Sequence, residues 1–443
     1  MKHYRKQDIL SMAAEEGIEL IYLQFIDVFG ILKNVVIPAG QLEQALENKC
    51  TFDGSSIEGF VRIEESDMYL YPDPTTFQIL PWRFQQHKAA RLMCDVYRPE
   101  GIPFEGDSRY ILKKSLRKCA SMGYAFEVGP ECEFFLFHTD EQQRPVTTAH
   151  ERAGYFEVTP LDLGETTRRE AVLMMEKMGF RVEASHHEVA PFQHEVDFQP
   201  NNALLMADIL MTFRMTMRAL AQNNGLCATF MPKPVSGVDG SGLHLNMSLK
   251  REEKNIFFEK KDKMKLSKEC YHFIAGLLEH ARGMSLICNP LVNSYKRLVP
   301  GYEAPVAISW SAMNRSPLIR IPASRGASTR IELRSPDPSC NPYLVMAVCL
   351  EAGLEGIEKG LEAPDPIGKN MYELSSETLR KLCVKLLPGN LREACDAFEQ
   401  DQFVQKVLGE HISRKFLEAK KREWLEYSEQ VSKWERDAYL IKY

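Results

Sequence analysis

The run GPECEFFLF, residues 129–137, sets Glu131 and Glu133 two positions apart in an otherwise apolar stretch. Side chains in a strand alternate faces, so Glu131, Glu133, Phe135 and Phe137 share one face and Cys132, Phe134 and Leu136 the other. Two like charges on an apolar strand are costly unless something cationic holds them. Three further stretches carry the same peculiarity. GSGLHLNMSL turns His244, Asn246 and Ser248 to one side and Leu243, Leu245, Met247 and Leu249 to the other. TRIELRSPD groups Arg330, Glu332 and Arg334 opposite Ile331 and Leu333. In ASHHEVAPFQHEVDF, Glu188 and Glu195 flank a proline-containing turn, so two antiparallel segments bring them together. The nearby His186, His187 and His194 cannot all join one site and are read as supporting or structural residues.

These faces offer five carboxylates, Glu131, Glu133, Glu188, Glu195 and Glu332, with one imidazole, His244, and two arginines. Pooled without cations, the carboxylates would raise one another's pKa values. Hard divalent ions remove that conflict, because Mg²⁺ and Mn²⁺ take oxygen ligands with an occasional imidazole. Six ligands exceed what one Mg²⁺ takes from a protein, so two metal sites fit better. Arginines on the same surface imply an anionic substrate, phosphate above all. Indeed NRSPLIRIPASRGASTRIELR packs Arg315, Arg320, Arg325, Arg330 and Arg334 around a single acid, Glu332, which calls for a bound anion. No GxxxxGK(S/T) loop is present, so the phosphate chemistry is not that of a P-loop. Glycines at 240 and 242, just before His244, let backbone approach a ligand. YKRLVPGYEAPV holds Glu303 in a Pro/Gly-bracketed loop suited to a lid, and TFDGSSIEGF holds Asp53 in a turn.

The elements that must position these groups are legible in outline. With 443 residues, 44% hydrophobic and 26% charged, the chain has an ordinary globular composition and room for more than one domain. A net charge of −6 gives no sign of nucleic-acid binding, no apolar run suits a membrane span, and no export signal precedes the first strand, which predicts a cytoplasmic location. Eleven scattered cysteines without a CxxC pair read as reduced core thiols. IYLQFIDVFGILKNVVIP reads as strand, turn, strand. YRPEGIPFEGDSRY is the best domain boundary, predicting a β-rich domain over 1–103 and a larger α/β domain over 104–443. Helices are expected over 108–123, 166–179, 202–223, 266–282 and 341–359, and as one long charged segment over 403–437.

With these stretches in their order, the chain resembles the glutamine synthetases over essentially its full length, in particular the shorter bacterial type I form of Gram-positive organisms. The resemblance rests on FDGSSIEGF, GPECEFF, EASHHEVAPFQHEVDF, MPKPVSGVDGSGLHLN, NSYKRLVPGYEAP and NRSPLIRIPASRGASTRIELRSPDPSCNPY. It implies an α+β fold: a β-grasp N-terminal domain and an α/β catalytic domain whose antiparallel sheet lines the active site. It implies ATP-dependent ligation of ammonium to glutamate through γ-glutamyl phosphate. By likeness, Glu133, Glu188 and Glu195 would bind one Mg²⁺ or Mn²⁺ and Glu131, His244 and Glu332 the other. Arg315, Arg320 and Arg330 would contact phosphate, Arg325 less surely. Arg297, Arg334 and the Gly240 backbone would hold glutamate. Glu303 would close over the site, and Asp53, from a neighbouring subunit, would take a proton from ammonium. The implied assembly is a dodecamer of two hexameric rings, clasped by the helical tail. Arg62 resembles an arginine tied to glutamine feedback inhibition, and the inhibited enzyme of such organisms binds a nitrogen-responsive transcription regulator; Tyr372 stands where longer forms are adenylylated, and feedback is the expectation here. Two positions depart from the pattern: Phe192 stands where glycine is usual, and Asp239 where asparagine is usual.

Overall fold

The computed structural model describes residues 4–60, 67–81, 87–147, 151–312, 314–368 and 384–443. Arg62 and Tyr372 lie outside these residues. The first sheet has six strands: β1 (Leu20–Ile26), β2 (Leu32–Pro38), β3 (Cys50–Asp53), β4 (Asp67–Pro72), β5 (Gln78–Ile79) and β6 (Ala89–Tyr97). Their order is β2-β1-β6-β4-β3, with β5 also on β6. β1 and β2 form the antiparallel hairpin expected from the sequence, and β1 runs parallel to β6. The helix Lys6–Glu15, its capping box formed by Arg5 and Asp8, adds Ile9 and Ala13 to this domain's own core beside Leu23, Leu70 and Leu92.

The second sheet has ten strands: β7 (Ala125–His138), β8 (Val182–His187), β9 (Gln193–Phe198), β10 (Asn201–Asn202), β11 (Leu226–Thr229), β12 (Leu243–Arg251), β13 (Lys254–Asn255), β14 (Trp310–Ser311), β15 (Ile319–Arg320) and β16 (Ile331–Leu333). The path β14-β15-β16-β12-β7-β9-β8 is antiparallel except for the β14–β15 pair. The alternation read from the sequence explains why one face is dry. Cys132, Phe134 and Leu136 of β7, Leu243, Leu245 and Met247 of β12, and Ile331 and Leu333 of β16 all enter one large core. The helices Ala203–Asn223, Lys268–Cys288 and Pro342–Lys359 cover that side with the rest of its apolar residues. Each helix is capped at its start by the side chain of Asn202, Ser267 or Asn341.

The domains are tied by polar contacts that need exact partners. Arg109, 1% exposed, donates to Asp73 and Asp95 of the first domain at 2.8 and 2.7 Å and to Asp208 of the second at 3.1 Å. Gly30 is required where the β1–β2 turn meets the helix start: its φ is 82°, and a Cβ there would lie 2.8 Å from Asn341 Cα. The ten described cysteines are all free, eight of them buried, and among the described residues no helix is long and apolar enough to cross a membrane.

One helix expectation is corrected. The segment expected as one helix over 403–437 is two, Gln402–Ser428 and Lys433–Tyr439, and the first is kinked at Gly409, whose φ of 80° is not helical. Ser432 and Glu435 form a capping box, which starts a new helix rather than continuing the old one. At the same end of the fold, His280 sets both ring nitrogens against carboxylates, Asp401 at 2.9 Å and Glu355 at 2.7 Å. Burial opposes its charge, but these hydrogen bonds outweigh it and raise its pKa above 6.5. The stabilisation is therefore fully present below pH 6.5 and is lost as pH rises through the raised folded value. His280→Gln is expected to cost about 1–3 kcal/mol at pH 6 and less at higher pH. Chemical denaturation across pH checks this, and an equal loss at every pH would show that the charge plays no part.

Candidate active site

The wet face of the ten-stranded sheet carries the polar residues in register. Across one row stand Glu133 of β7, Glu195 of β9 and His186 of β8; across the next, His244 of β12, Glu131 of β7 and Asp197 of β9. A third row pairs Arg320 of β15 with Glu332 of β16 and Asn246 of β12. Rows are two residues apart along each strand, so one face presents all of them. Above it lies a cavity of about 220 Å³ whose lining includes Glu131, Glu133, Glu188, Glu195 and His244. Gly240, Arg297, Glu303, Arg315, Arg320 and Arg334 line it as well.

The same face of β7 changes character after Glu133. Phe135 and Phe137 pack with Phe192 and Ala190 in a small separate core. Phe192 explains its own departure from the family pattern. Its φ is 66°, the left-handed region that favours glycine, and its ring stands 5.5 Å from that of Phe137. The backbone cost of roughly 1–2 kcal/mol is offset by burying a phenyl group, worth about 1.5–3 kcal/mol. Its N–H donates to the buried carboxylate of Glu151.

Charges in the cavity are unevenly satisfied. Burial raises the Glu133 carboxyl to about 7, with the neighbouring Glu188 adding to the effect. Glu195 is pushed well above the usual carboxylate range by burial and by Glu133, Asp197 and Glu188, and Asp197 is raised to about 7, chiefly by burial. Glu131 differs: burial would raise it, but hydrogen bonds from His244 and Asn246 bring it down to about 2. Carboxylates this crowded favour a bound cation over a shared proton. Of the four groups among the described residues that place ligand atoms within 4.8 Å of one another, three are here, Glu131–His244–Glu332, Glu133–Glu195–His244 and His186–Glu188–Glu195; the fourth is the buried Asp162–His187–His194. Oxygen donors with one or two imidazoles suit Mg²⁺ or Mn²⁺.

The arginines are already engaged. Glu332 accepts from Arg320 at 2.5 Å through one oxygen and from Arg334 at 2.7 Å through the other. Arg297, 2% exposed, donates to the carbonyls of Ser335, Pro336 and Arg334. Gly242 is needed beneath it, because a Cβ there would lie 2.5 Å from Arg297 Nη2. Arg315 is exposed at the rim, near Tyr155. Glu303 sits in the Pro/Gly loop with φ 29°, and its carbonyl accepts from Arg334 at 3.4 Å. Asp239 also lines the cavity. Burial and the charge of Glu303 raise its pKa, while Lys233, stacked 3.8 Å over Tyr302, supplies the opposing positive charge.

Four expected residues do not line this cavity: Glu332, fully buried 3.7 Å from His244, and Arg330, Arg325 and Asp53. Arg330 donates to Asn246 and borders an adjoining cavity of about 110 Å³ that shares Glu131 and Asp197. Arg325 is held by the carbonyls of Met264, Pro322 and Ser324. Asp53 is exposed at the end of β3, its carboxylate accepting from Ser55. Two residues must be added. His186, read from the sequence as supporting or structural, lines the cavity 3.5 Å from Glu188 and 3.7 Å from Glu195, whereas His187 and His194 are fully buried behind it. Asp197 also faces in. The signal for both was strand parity: His186 shares the side of Glu188, and Asp197 that of Glu195.

Comparison with known proteins agrees along the whole chain. The model of the glutamine synthetase catalytic domain matches residues 105–439, and that of the glutamine synthetase β-grasp domain residues 17–99. A glutamine synthetase of Clostridium saccharobutylicum is 52% identical over 443 residues, covering 100% of both chains, and one of Staphylococcus aureus is 51% identical over 441, covering 99% of both. Among solved structures, a GmaS/ADP complex aligns with TM-score 0.90 at 31% identity, over 98% of this chain and 99% of that one. A Plasmodium falciparum glutamine synthetase aligns with TM-score 0.87 at 25% identity, over 99% of both. The chain belongs to the glutamine synthetase family.

Proposed function

We propose that this chain joins ammonia to the γ-carboxylate of L-glutamate using ATP, releasing glutamine, ADP and phosphate. The observation that carries the reading is the convergence of Glu131, Glu133, Glu188, Glu195, His244 and four arginines on one cavity, with the buried Glu332 3.7 Å from His244. In this scheme a γ-carboxylate oxygen of glutamate attacks the γ-phosphorus of ATP, and ADP leaves. Ammonia then attacks the acyl carbon of γ-glutamyl phosphate, and phosphate departs with the bridging oxygen. Arg315 and Arg320, with Arg330 from the adjoining cavity, spread the charge of the transferring group. Arg297, Arg334 and the Gly240 backbone orient glutamate. Asp53, brought by a neighbouring subunit, takes the proton that makes ammonium a nucleophile. Glu133, Glu188 and Glu195 would hold one Mg²⁺ or Mn²⁺ and Glu131, His244 and Glu332 the other, with His186 beside the first set. Such ions supply Lewis-acid neutralisation of phosphate charge.

A domain division at about 103/104 is supported by the two matched segments, 17–99 and 105–439. A dodecamer of two rings is supported by the exposed apolar tail, where Trp434, Leu440 and Ile441 are 67%, 75% and 100% exposed. Feedback through Arg62 and docking of a nitrogen-responsive regulator remain parts of the same proposal.

Phosphate release with ATP, Mg²⁺ and glutamate, with and without ammonium and against a panel of amines, tests the reaction. Ammonium-dependent release with glutamine as product is expected; release with an amine but not ammonium would make this an amine ligase and Asp239 the first residue to alter. Glu303→Ala is expected to leave ATP and metal binding intact while lowering glutamine formation about 10²-fold. Unchanged ammonium-dependent turnover in that variant would sink the lid role.

A further inference from the structure

A cavity of about 560 Å³, larger than the catalytic pocket and sharing no lining residue with it, lies between the β1–β2 hairpin, the helix Ala203–Asn223 and the helix Gln402–Ser428. Four cations line it: Arg214 and Arg218, one turn apart on their helix, Lys33 from the hairpin and Lys420 from the late helix. Among the described residues no carboxylate lines it. Lys33 and Lys420 have acids outside the cavity, Asp27 at 3.5 Å and Glu423 at 2.8 Å. Arg214 is 4% exposed, donates through Nη1 to the Cys340 carbonyl at 3.1 Å, and has no acceptor for Nε or Nη2. Arg218 is exposed and stands 5.1 Å over the Phe230 ring. Gln24, 2% exposed, leaves Oε1 without a donor.

A buried guanidinium without a counter-charge is costly, and a second cation beside it adds repulsion. An anion between them removes both costs. Most of the remaining wall is apolar, with Phe29, Met211, Met215, Phe230 and Met231 among it, beside the polar Asn34, Thr229 and Ser339. Methionine walls adapt to varied apolar shapes. We propose that this cavity binds a small amphipathic anion: a carboxylate or phosphate headgroup against Arg214 and Arg218, an apolar body against the methionines and phenylalanines, and a hydrogen-bond donor toward Gln24. The site lies between the two domains, so its occupant would bridge them.

The test uses the purified full chain and the fluorescent probe 8-anilinonaphthalene-1-sulfonate, which joins an anion and an N–H to an apolar body. Its neutral counterpart N-phenyl-1-naphthylamine lacks only the sulfonate. With ATP and Mg²⁺ saturating, the sulfonate is expected to bind once per chain, and the neutral compound about tenfold or more weakly. Arg214→Met should weaken sulfonate binding by about tenfold or more while leaving ammonium-dependent turnover unchanged. Arg218→Met, at an exposed position, should weaken it severalfold and carries the test if Arg214→Met does not fold. Displacement by octanoate or by octyl phosphate identifies the headgroup. Equal affinities for the two probes, unchanged sulfonate affinity in either folded variant, loss of sulfonate binding on adding ATP, or displacement by neither competitor would overturn the proposal.

Discussion

Glu133→Gln is expected to reduce ammonium-dependent glutamine formation by about 10²–10³-fold. The geometry makes the variant a clean one. Glu133 Oε2 accepts from Gly242 N–H at 2.8 Å and from Gln193 Nε2 at 3.0 Å, so a glutamine can keep both bonds through its amide oxygen. The other oxygen, Oε1, lies 3.8 Å from His244 Nε2 and would become an NH₂ group, which cannot ligate a cation. Metal titration should show weakened Mn²⁺ binding with the fold intact. The metal-free variant should also differ in its pH dependence. In the wild type the folded carboxyl titrates near 7, against 4.5 for an unperturbed glutamate. Between those values the native state holds the extra proton, so metal-free stability falls as pH rises through the window. Glutamine removes that contribution. Full turnover with unchanged Mn²⁺ affinity would remove Glu133 from the metal set.

Arg297→Met is the second large effect. The guanidinium it removes satisfies three carbonyls in the segment 334–336, immediately after the strand that carries Glu332. Leaving buried acceptors unpaired costs about 1–3 kcal/mol each, partly offset because a buried charge also disappears. A net loss of about 2–4 kcal/mol is expected, read as a lower denaturation midpoint. Catalysis should suffer beyond that. The KM for glutamate should rise at least about tenfold, because the charge proposed to hold the substrate is gone and Arg334 is no longer braced. A destabilised variant with wild-type KM for glutamate would make Arg297 a structural brace alone.

Much of this site was legible from strand parity. Glu131 with Glu133, His244 with Asn246, and Glu332 with Arg334 share faces in the folded sheet as alternation demands, and their apolar neighbours enter the core. The helix starts at Asn202, Ser267 and Asn341 carry side-chain caps, and the stretch between the two matched segments, residues 100–104, holds Gly101 and Pro103. Other features needed coordinates. Alternation cannot say that Glu332 is clamped by two arginines, because Arg320 comes from a strand paired only through tertiary contact. Nor can it place Arg330 in an adjoining cavity, since that depends on how Asn246 turns its amide. Phe192 looked like a disturbance of a glycine position; its left-handed backbone confirms the demand for glycine, and its buried ring explains why a phenylalanine meets it. The break after Ser428 was marked by Ser432 and Glu435, a capping pair obscured by a continuous run of charge.

The register of the ten-stranded sheet also sets the order in which the molecule can come into being. The side chains proposed to hold cations span residues 131 to 332, and β12, the strand between β7 and β16, begins only at Leu243. While the chain is being synthesised, β7, β8 and β9 can pair early and gather Glu131, Glu133, Glu188 and Glu195 without His244 or Glu332. For that interval the nascent sheet carries an acidic face with His186 beside it but with neither His244 nor its arginines. Completion waits for β12 to pair with β7, Leu243 opposite Cys132, and then for β16 to pair with β12, Leu333 opposite Leu245, two long-range pairings of the kind that folds slowly.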